Sequence, residues 1–123
     1  MKRDMELVRK LLFFFDAKPG PESVEVPEID GYDETTIKYH LVLLHDAAYF
    51  RCEPVKSSTS DRVIWVLPFE LTWSGHDFLD KIRNPHIWDE IVSDMKKHGL
   101  ASASVDIIKR LADAAIRKKM GLE

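Results

Sequence analysis

The 123-residue sequence lacks the features that small proteins use to cross-link themselves or to cross a membrane. Its single cysteine, Cys52, excludes an internal disulfide and any multi-thiolate metal site, and we expect an inert thiol in a strand. No apolar run approaches the roughly 20 residues that a membrane-spanning helix needs. The charged start, residues 1–4, has no apolar segment of a secretory signal before it. We therefore expect a cytoplasmic protein that does not bind a membrane.

A surplus of basic charge is also missing. The chain has 18 Lys and Arg against 21 Asp and Glu, a net charge of −3. Residues 1–50 carry six basic against ten acidic side chains, and residues 84–123 carry seven against six. Because nucleic-acid-binding proteins usually have a clear basic patch, this distribution gives no direct sign of one. Its 45% hydrophobic and 32% charged residues are ordinary for a soluble globular protein.

Apolar spacing and capping residues predict five helices and one β-hairpin. The second helix has its apolar stripe at Ile37, Leu41, Leu44 and Ala48. Residues 23–29 alternate apolar and polar side chains and predict a short extended stretch, which Pro27 confines to an edge strand or an irregular strand. The helices are expected at about 4–15, 34–48, 73–83, 85–98 and from 104 onward, with N-caps at Asp4, Asp33, Thr72 and Asn84 and a C-terminal glycine at Gly99; the hairpin strands are expected at 49–55 and 62–70.

A helix followed directly by a β-hairpin is the order of the winged helix-turn-helix. Residues 35–44 resemble the recognition helix of bacterial winged-helix repressors, and residues 71–79 resemble the start of the helix that closes such domains. Those repressors place a short positioning helix before the recognition helix. Here Pro19, Pro21 and Pro27 occupy that span, so we expect a shortened positioning helix or extended chain.

A second resemblance covers nearly the whole chain. The sequence is similar to the bacterial and prophage family called domain of unknown function 2513, in which other members tend to place glycine near Ala48. Without that glycine, we expect a less sharp turn into the hairpin. The resemblance is carried by residues 1–10, 39–41, 71–73 and 75–80, by Trp88, and by residues 118–122.

The expected fold is α+β, a winged helix-turn-helix with a two-stranded β-hairpin wing and two extra C-terminal helices. Residues 1–83 would form the winged-helix domain. Residues 84–123 would form a helical extension that packs on the same domain or makes a dimer contact. Ala112 and Ala115 in the last helix would permit close helix approach, so we hypothesise a homodimer through the C-terminal helices.

Catalytic motifs are absent from the sequence. It has no glycine-rich phosphate loop, nucleophile elbow or acid–base carboxylate pair. His76 and Asp77 lack further ligands at metal-site spacing, and we expect His76 to lie partly buried against the hairpin. Trp73, Trp88 and residues 13–15 are expected in the core. We therefore expect no enzyme, no catalytic residues, no cofactor and no metal.

Two functions remain open, and they differ in what the second helix and the hairpin bind. The first is a DNA-binding transcriptional regulator of bacterial or prophage origin that binds double-stranded DNA; against it stand Asp33, Glu34 and Asp46 at the ends of the helix. The alternative is a protein–protein interaction module on a winged-helix scaffold that no longer binds DNA. The candidate DNA-binding residues are Thr35, Thr36, Lys38, Tyr39, Lys56 and Arg62.

Overall fold

The structure is a computed structural model that describes residues 1–100 and 103–122. These residues confirm the α+β class, with helices and one antiparallel hairpin that are compatible with a winged helix and its wing. The chain divides into two compact units, residues 1–76 and 77–123, and the predicted domain boundary at 83/84 stays a prediction. In order the elements are α1 (Met5–Asp16), α2 (Glu34–Asp46), β1 (Phe50–Lys56), β2 (Val63–Leu71), α3 (Trp73–Ile82), α4 (Pro85–Lys97) and α5 (Val105–Met120).

Side-chain caps begin the helices at the predicted positions. Each cap oxygen accepts one or two backbone N–H groups that the helix itself leaves without partners. Gly99 follows α4 with φ of 70°, as predicted for its terminating residue. The caps are Asp4 for α1, Asp33 for α2, Thr72 for α3, Asn84 for α4 and Ser104 for α5.

The first unit has its core where α1, α2 and the hairpin meet. Both helices contact β2, and α2 makes the more extensive contact. The strands pair from Phe50 opposite Leu71 to Lys56 opposite Val63, with irregular steps after Arg51 and Val55. The buried apolar residues of this core include Leu7, Val8, Leu11, Leu12, Phe15, Ile37, Leu41, Leu44, Phe50, Val66 and Leu71.

The prediction of a strand at residues 23–29 is wrong. Residues 17–33 contain neither helix nor strand. One backbone bond, from the Val24 N–H to the Pro68 carbonyl (3.3 Å), joins this segment to β2. The Lys18 ammonium also donates to the Phe69 carbonyl. The single bond does not continue into a β-ladder, because Pro27 is buried and has no N–H to donate. Irregular chain without a helix thus stands where a shortened positioning helix or extended chain was expected.

The turn from α2 into β1 is as sharp as a glycine would make it. Ala48 adopts φ of 61°, and its N–H donates to the His45 carbonyl (2.9 Å). The Tyr49 N–H donates to the Leu44 carbonyl (3.0 Å), which completes a Schellman motif. The expectation of a less sharp turn is therefore wrong, because the two hydrogen bonds hold alanine in the left-handed region.

Replacing Ala48 with glycine should stabilise the protein by about 1 kcal/mol, because glycine adopts a positive φ without steric cost. Ala47 provides a matched control one residue earlier, where φ is −75°. There glycine should destabilise by about 0.5–1 kcal/mol, since it only adds freedom to the unfolded chain. Urea unfolding of both variants checks the opposite signs; a loss of stability in Ala48→Gly would contradict the account.

The second unit is built on α4 and α5, which contact each other, and the carboxyl-terminal part of α3. The Lys81 ammonium lies 2.6 Å from the Asp113 carboxylate and joins α3 to α5. Trp88 is 4% exposed, which confirms its predicted place in the core. The other buried apolar residues are Phe78, Leu79, Ile82, Ile87, Ile91, Met95, Ile108 and Ala112.

Trp73 is not a core residue, contrary to the prediction. Its side chain is 81% exposed. At 100° per residue, Trp73 falls on the side of α3 opposite Phe78 and Ile82, which are buried. Of the Phe13-Phe14-Phe15 run, Phe15 is buried and the other two are half-buried.

Candidate nucleic-acid interface

The amino-terminal half of α2 presents the predicted contact residues unequally. Thr35 is exposed, whereas Thr36 is half-buried and its backbone N–H donates to the Asp33 cap (2.8 Å). The side-chain hydrogen bond with Thr36, and then this backbone bond, lower the pKa of Asp33, so the cap is ionised at neutral pH. Tyr39 is half-buried with its ring edge-on to His40. Thr35 is therefore the more accessible of the two threonines.

Lys38 joins the outer face of α2 to the hairpin. Its ammonium lies 5.1 Å from the centre of the Trp65 ring, a cation–π distance, and 3.1 Å from the Glu34 carboxylate. Trp65 is in β2 and pairs with Val55 of β1. The helix face and the hairpin thus form one surface, but the charge of Lys38 is partly neutralised within it.

The hairpin turn, residues 57–62, brings Lys56 and Arg62 to its two ends. The Ser57 N–H donates to the Arg62 carbonyl (2.8 Å), and the Ser60 hydroxyl accepts from the Arg62 N–H (3.3 Å). Both cationic side chains are exposed. The predicted pair at the tip is therefore assembled by backbone hydrogen bonds of the turn.

Acidic side chains crowd the chain before α2. Residues 22–34 contain six carboxylates and no Lys or Arg, and all six side chains are exposed. From α2 through β2, residues 34–71, the chain has four basic and five acidic side chains. The contact surface as a whole is not basic. The six are Glu22, Glu25, Glu28, Asp30, Asp33 and Glu34.

His40 is the residue of this region that sequence reasoning missed. It is fully buried, its Nδ1 lies 2.8 Å from the Thr36 carbonyl, and its Nε2 lies 2.8 Å from the Asp4 nitrogen. A carbonyl only accepts and an amide N–H only donates, so the imidazole is neutral with its proton on Nδ1. The signal was in the spacing, because His40 lies three residues after Ile37 and four before Leu44.

The same network fixes the irregular segment at Tyr32, whose hydroxyl donates to the Asp4 carboxylate (2.9 Å). Burial, and then the hydrogen bond and negative charge of Asp4, raise the pKa of Tyr32 to about 12. The N-cap of α1 thereby holds both α2, through His40, and the chain that precedes α2.

Tyr32 should titrate about two pH units above an ordinary tyrosine, whose pKa is about 10. Because the folded pKa is the higher, the Tyr32 contact stabilises fully below pH ~10 and is lost as pH rises towards 12. Absorbance at the tyrosinate band should show this late transition, and Tyr32→Phe should remove it. Tyr39→Phe is the control that should leave it in place.

Cys52 lies in β1 and is half-buried, as expected for a strand residue. Burial raises the pKa of its thiol to about 11, so little thiolate exists at neutral pH. This supports the expectation of an inert thiol.

His76 is exposed, which corrects the expectation that it packs against the hairpin. Its Nδ1 lies 3.6 Å from the Asp16 carboxylate at the end of α1. Among residues 1–100 and 103–122, no group of three His, Cys, Asp or Glu side chains is placed to hold a metal ion. Within the same ranges, no helix is both long enough and apolar enough to span a membrane.

These features define an α+β protein in which a capped helix and an adjacent β-hairpin share one surface, an arrangement compatible with a winged helix. The chain belongs to the family described as "Hypothetical protein (DUF2513)", whose sequence profile matches residues 2–101. It is 31% identical over 121 residues to a Haemophilus influenzae protein described as "Uncharacterized protein", covering 98% of this chain and 99% of that one. No solved structure shows a significant match to the chain.

Proposed function

We propose that this chain is a cytoplasmic DNA-binding regulator that contacts double-stranded DNA through α2 and the β1–β2 hairpin, without catalytic activity. The observation that carries the proposal is the contact between Lys38 and Trp65, because it makes the helix face and the hairpin one surface. That surface ends at the hairpin turn in two exposed cations, Lys56 and Arg62. A helix enters a DNA groove while cations beside it contact phosphates.

The charge of the surface limits the strength of this binding. Three cations, Lys38, Lys56 and Arg62, can meet phosphates, and the Glu34 carboxylate lies 3.1 Å from the first. The carboxylates of residues 22–34 repel the duplex at the start of α2. We therefore expect weak binding that requires low salt.

Reversing both cations of the hairpin turn tests the proposal. The double variant Lys56→Glu, Arg62→Glu should bind a mixed-sequence duplex about 100-fold more weakly at low salt, by about tenfold for each lost phosphate contact. Fluorescence anisotropy of a labelled duplex measures this. The turn itself should persist, because its hydrogen bonds use the Arg62 backbone and not its guanidinium.

A matched control separates the surface from net charge. Lys96→Glu reverses an exposed cation of α4 and should leave the affinity within about threefold of the unaltered chain. If that control weakens binding as much per charge as the hairpin variants do, the hairpin is not the contact surface.

A second candidate function is favoured by a different observation. The hairpin exposes apolar side chains, with Ile64 57% and Val55 38% exposed, and the acidic residues 22–34 are bonded to β2 through the Val24 N–H and the Pro68 carbonyl. Apolar contact area and negative charge together suit a basic protein partner. This alternative expects no duplex affinity at low salt. In this case the chain should bind a lysine-rich amphipathic peptide, and Ile64→Ser and Glu28→Gln should each weaken that binding.

A further inference from the structure

The second unit carries an open groove between α4 and α5, with a volume of about 580 Å³. The groove lies within residues 77–123 and involves none of the proposed DNA contacts. The part of its lining that comes from α5 is mostly small or apolar and includes Leu111, Ala114 and Ala115. Ala112 was expected to permit close approach of a partner helix, but its side chain is fully buried and cannot contact a partner.

The outward stripe of α5 continues beyond the groove at its amino-terminal end. Positions 107, 111, 114 and 118 repeat at i, i+4, i+7 and i+11, so they share one helix face. Ile107, at the start of this stripe, is 45% exposed. Small and apolar side chains at this spacing are typical of a helix that packs against another helix.

The walls of the groove have opposite charge. The α4 wall is acidic on balance, with Asp89, Glu90 and Asp94 against Lys97, and the α5 wall contributes Lys118. The connection between the helices is short, which makes them antiparallel neighbours. Lys118 near the end of α5 and Glu90 in the first half of α4 line the same groove, towards the end where α4 begins.

We propose that this groove is the contact surface for a second copy of the chain, in a four-helix bundle with its twofold axis along the helices. Such an axis places α4 of one copy against α5 of the other, antiparallel and at the same level. Glu90 of each copy then faces Lys118 of the other, so this charge pair forms twice. Because one groove carries both members of the pair, a second copy offers the complementary charges on the same surface.

The area of the helix pair sets the strength of the contact. Helices of 13 and 16 residues are about 20 and 24 Å long, and two of them side by side present a face roughly 20 Å wide. Each copy thus contributes roughly 400 Å², or roughly 800 Å² in total, which is at the weak end for specific contacts. We expect dissociation constants of about 10–300 µM.

Sedimentation velocity of the full chain from about 10 to about 500 µM tests this, since the range spans the expected dissociation constant. Glu90→Lys or Lys118→Glu should each weaken dimerisation at least about tenfold, because each change affects two pairs. The combined variant should recover to within about threefold of the unaltered chain. Arg117→Glu, the same charge change one residue earlier but outside the groove lining, should have little effect.

Ala114→Arg provides a second test, chiefly through the size of the new side chain. Ala114 is exposed, so the change should leave folding intact, which circular dichroism checks, while it fills the groove and abolishes the dimer. A chain that stays monomeric throughout the concentration range overturns the proposal. So does a dimer that survives both Ala114→Arg and Lys118→Glu. Failure of DNA binding would leave these results unaffected.

Discussion

Replacing His40 with alanine is expected to destabilise the first unit by about 3–4 kcal/mol. The change leaves a cavity at a fully buried site, and it removes the acceptor for the Asp4 N–H. Because the Asp4 side chain caps α1, loss of this bond should also loosen the start of that helix. Urea unfolding measures the loss, which is a large fraction of the stability of a domain of this size.

Two further variants separate the contributions to the His40 effect. His40→Leu restores most of the volume but not the hydrogen bonds, so it should cost about 2 kcal/mol, from the unsatisfied Asp4 N–H. His45→Ala, on the same helix but half-buried, should cost under about 1 kcal/mol. A loss below 1 kcal/mol in His40→Ala would show that the network does not hold α1 to α2.

Replacing Gly75 with alanine should cost about 3 kcal/mol or more. A Cβ at this position would lie 2.2 Å from the Tyr49 carbonyl oxygen, a backbone atom that cannot rotate away. The same oxygen accepts the Thr72 N–H (2.9 Å), so its displacement would also disturb the junction of β1 and α3. Overpacking of this kind outweighs the roughly 1 kcal/mol that alanine gains in a helix.

Ser74→Ala is the control for Gly75→Ala. It adds no atoms, lies one residue earlier in α3 and is exposed, so it should change stability by less than about 0.5 kcal/mol. Thermal unfolding should place Gly75→Ala about 10 °C or more below the unaltered chain. Equal melting temperatures would mean that the approach of α3 to Tyr49 is looser than the structure describes.

The features that sequence predicted correctly depend on near neighbours in the chain. The caps at Asp4, Asp33 and Thr72 bond to N–H groups two or three residues away, so their residue types are informative on their own.

Of three features that sequence reasoning missed, two depend on distant partners and one does not. Residues 23–29 alternate like a strand, but a strand needs a ladder, and here one bond to Pro68 forms. His40 is polar yet buried, because the Asp4 N–H, 36 residues away, supplies its second hydrogen bond. The side chain of Trp73 is apolar yet exposed, which its position relative to Phe78 could have indicated.

The candidate site was predicted in composition but not in geometry. Lys56 and Arg62 were expected at the hairpin turn and lie there. The Glu34 ion pair of Lys38 has the i, i+4 spacing that is common on helices and could have been expected, whereas the Trp65 contact depends on how the helix packs against the hairpin. Those contacts decide how much of the positive charge is available to DNA.

Salt dependence of duplex binding tests the central claim most directly. With three cations on phosphates, the logarithm of the binding constant should fall with the logarithm of salt concentration with a slope of roughly −2.7. Affinity should therefore drop about 40-fold between 50 and 200 mM salt, as measured by fluorescence anisotropy. We expect that slope for the unaltered chain, and a slope about one unit smaller in magnitude for each of Lys56→Glu and Arg62→Glu. No binding at low salt, or binding that salt does not weaken, would contradict it.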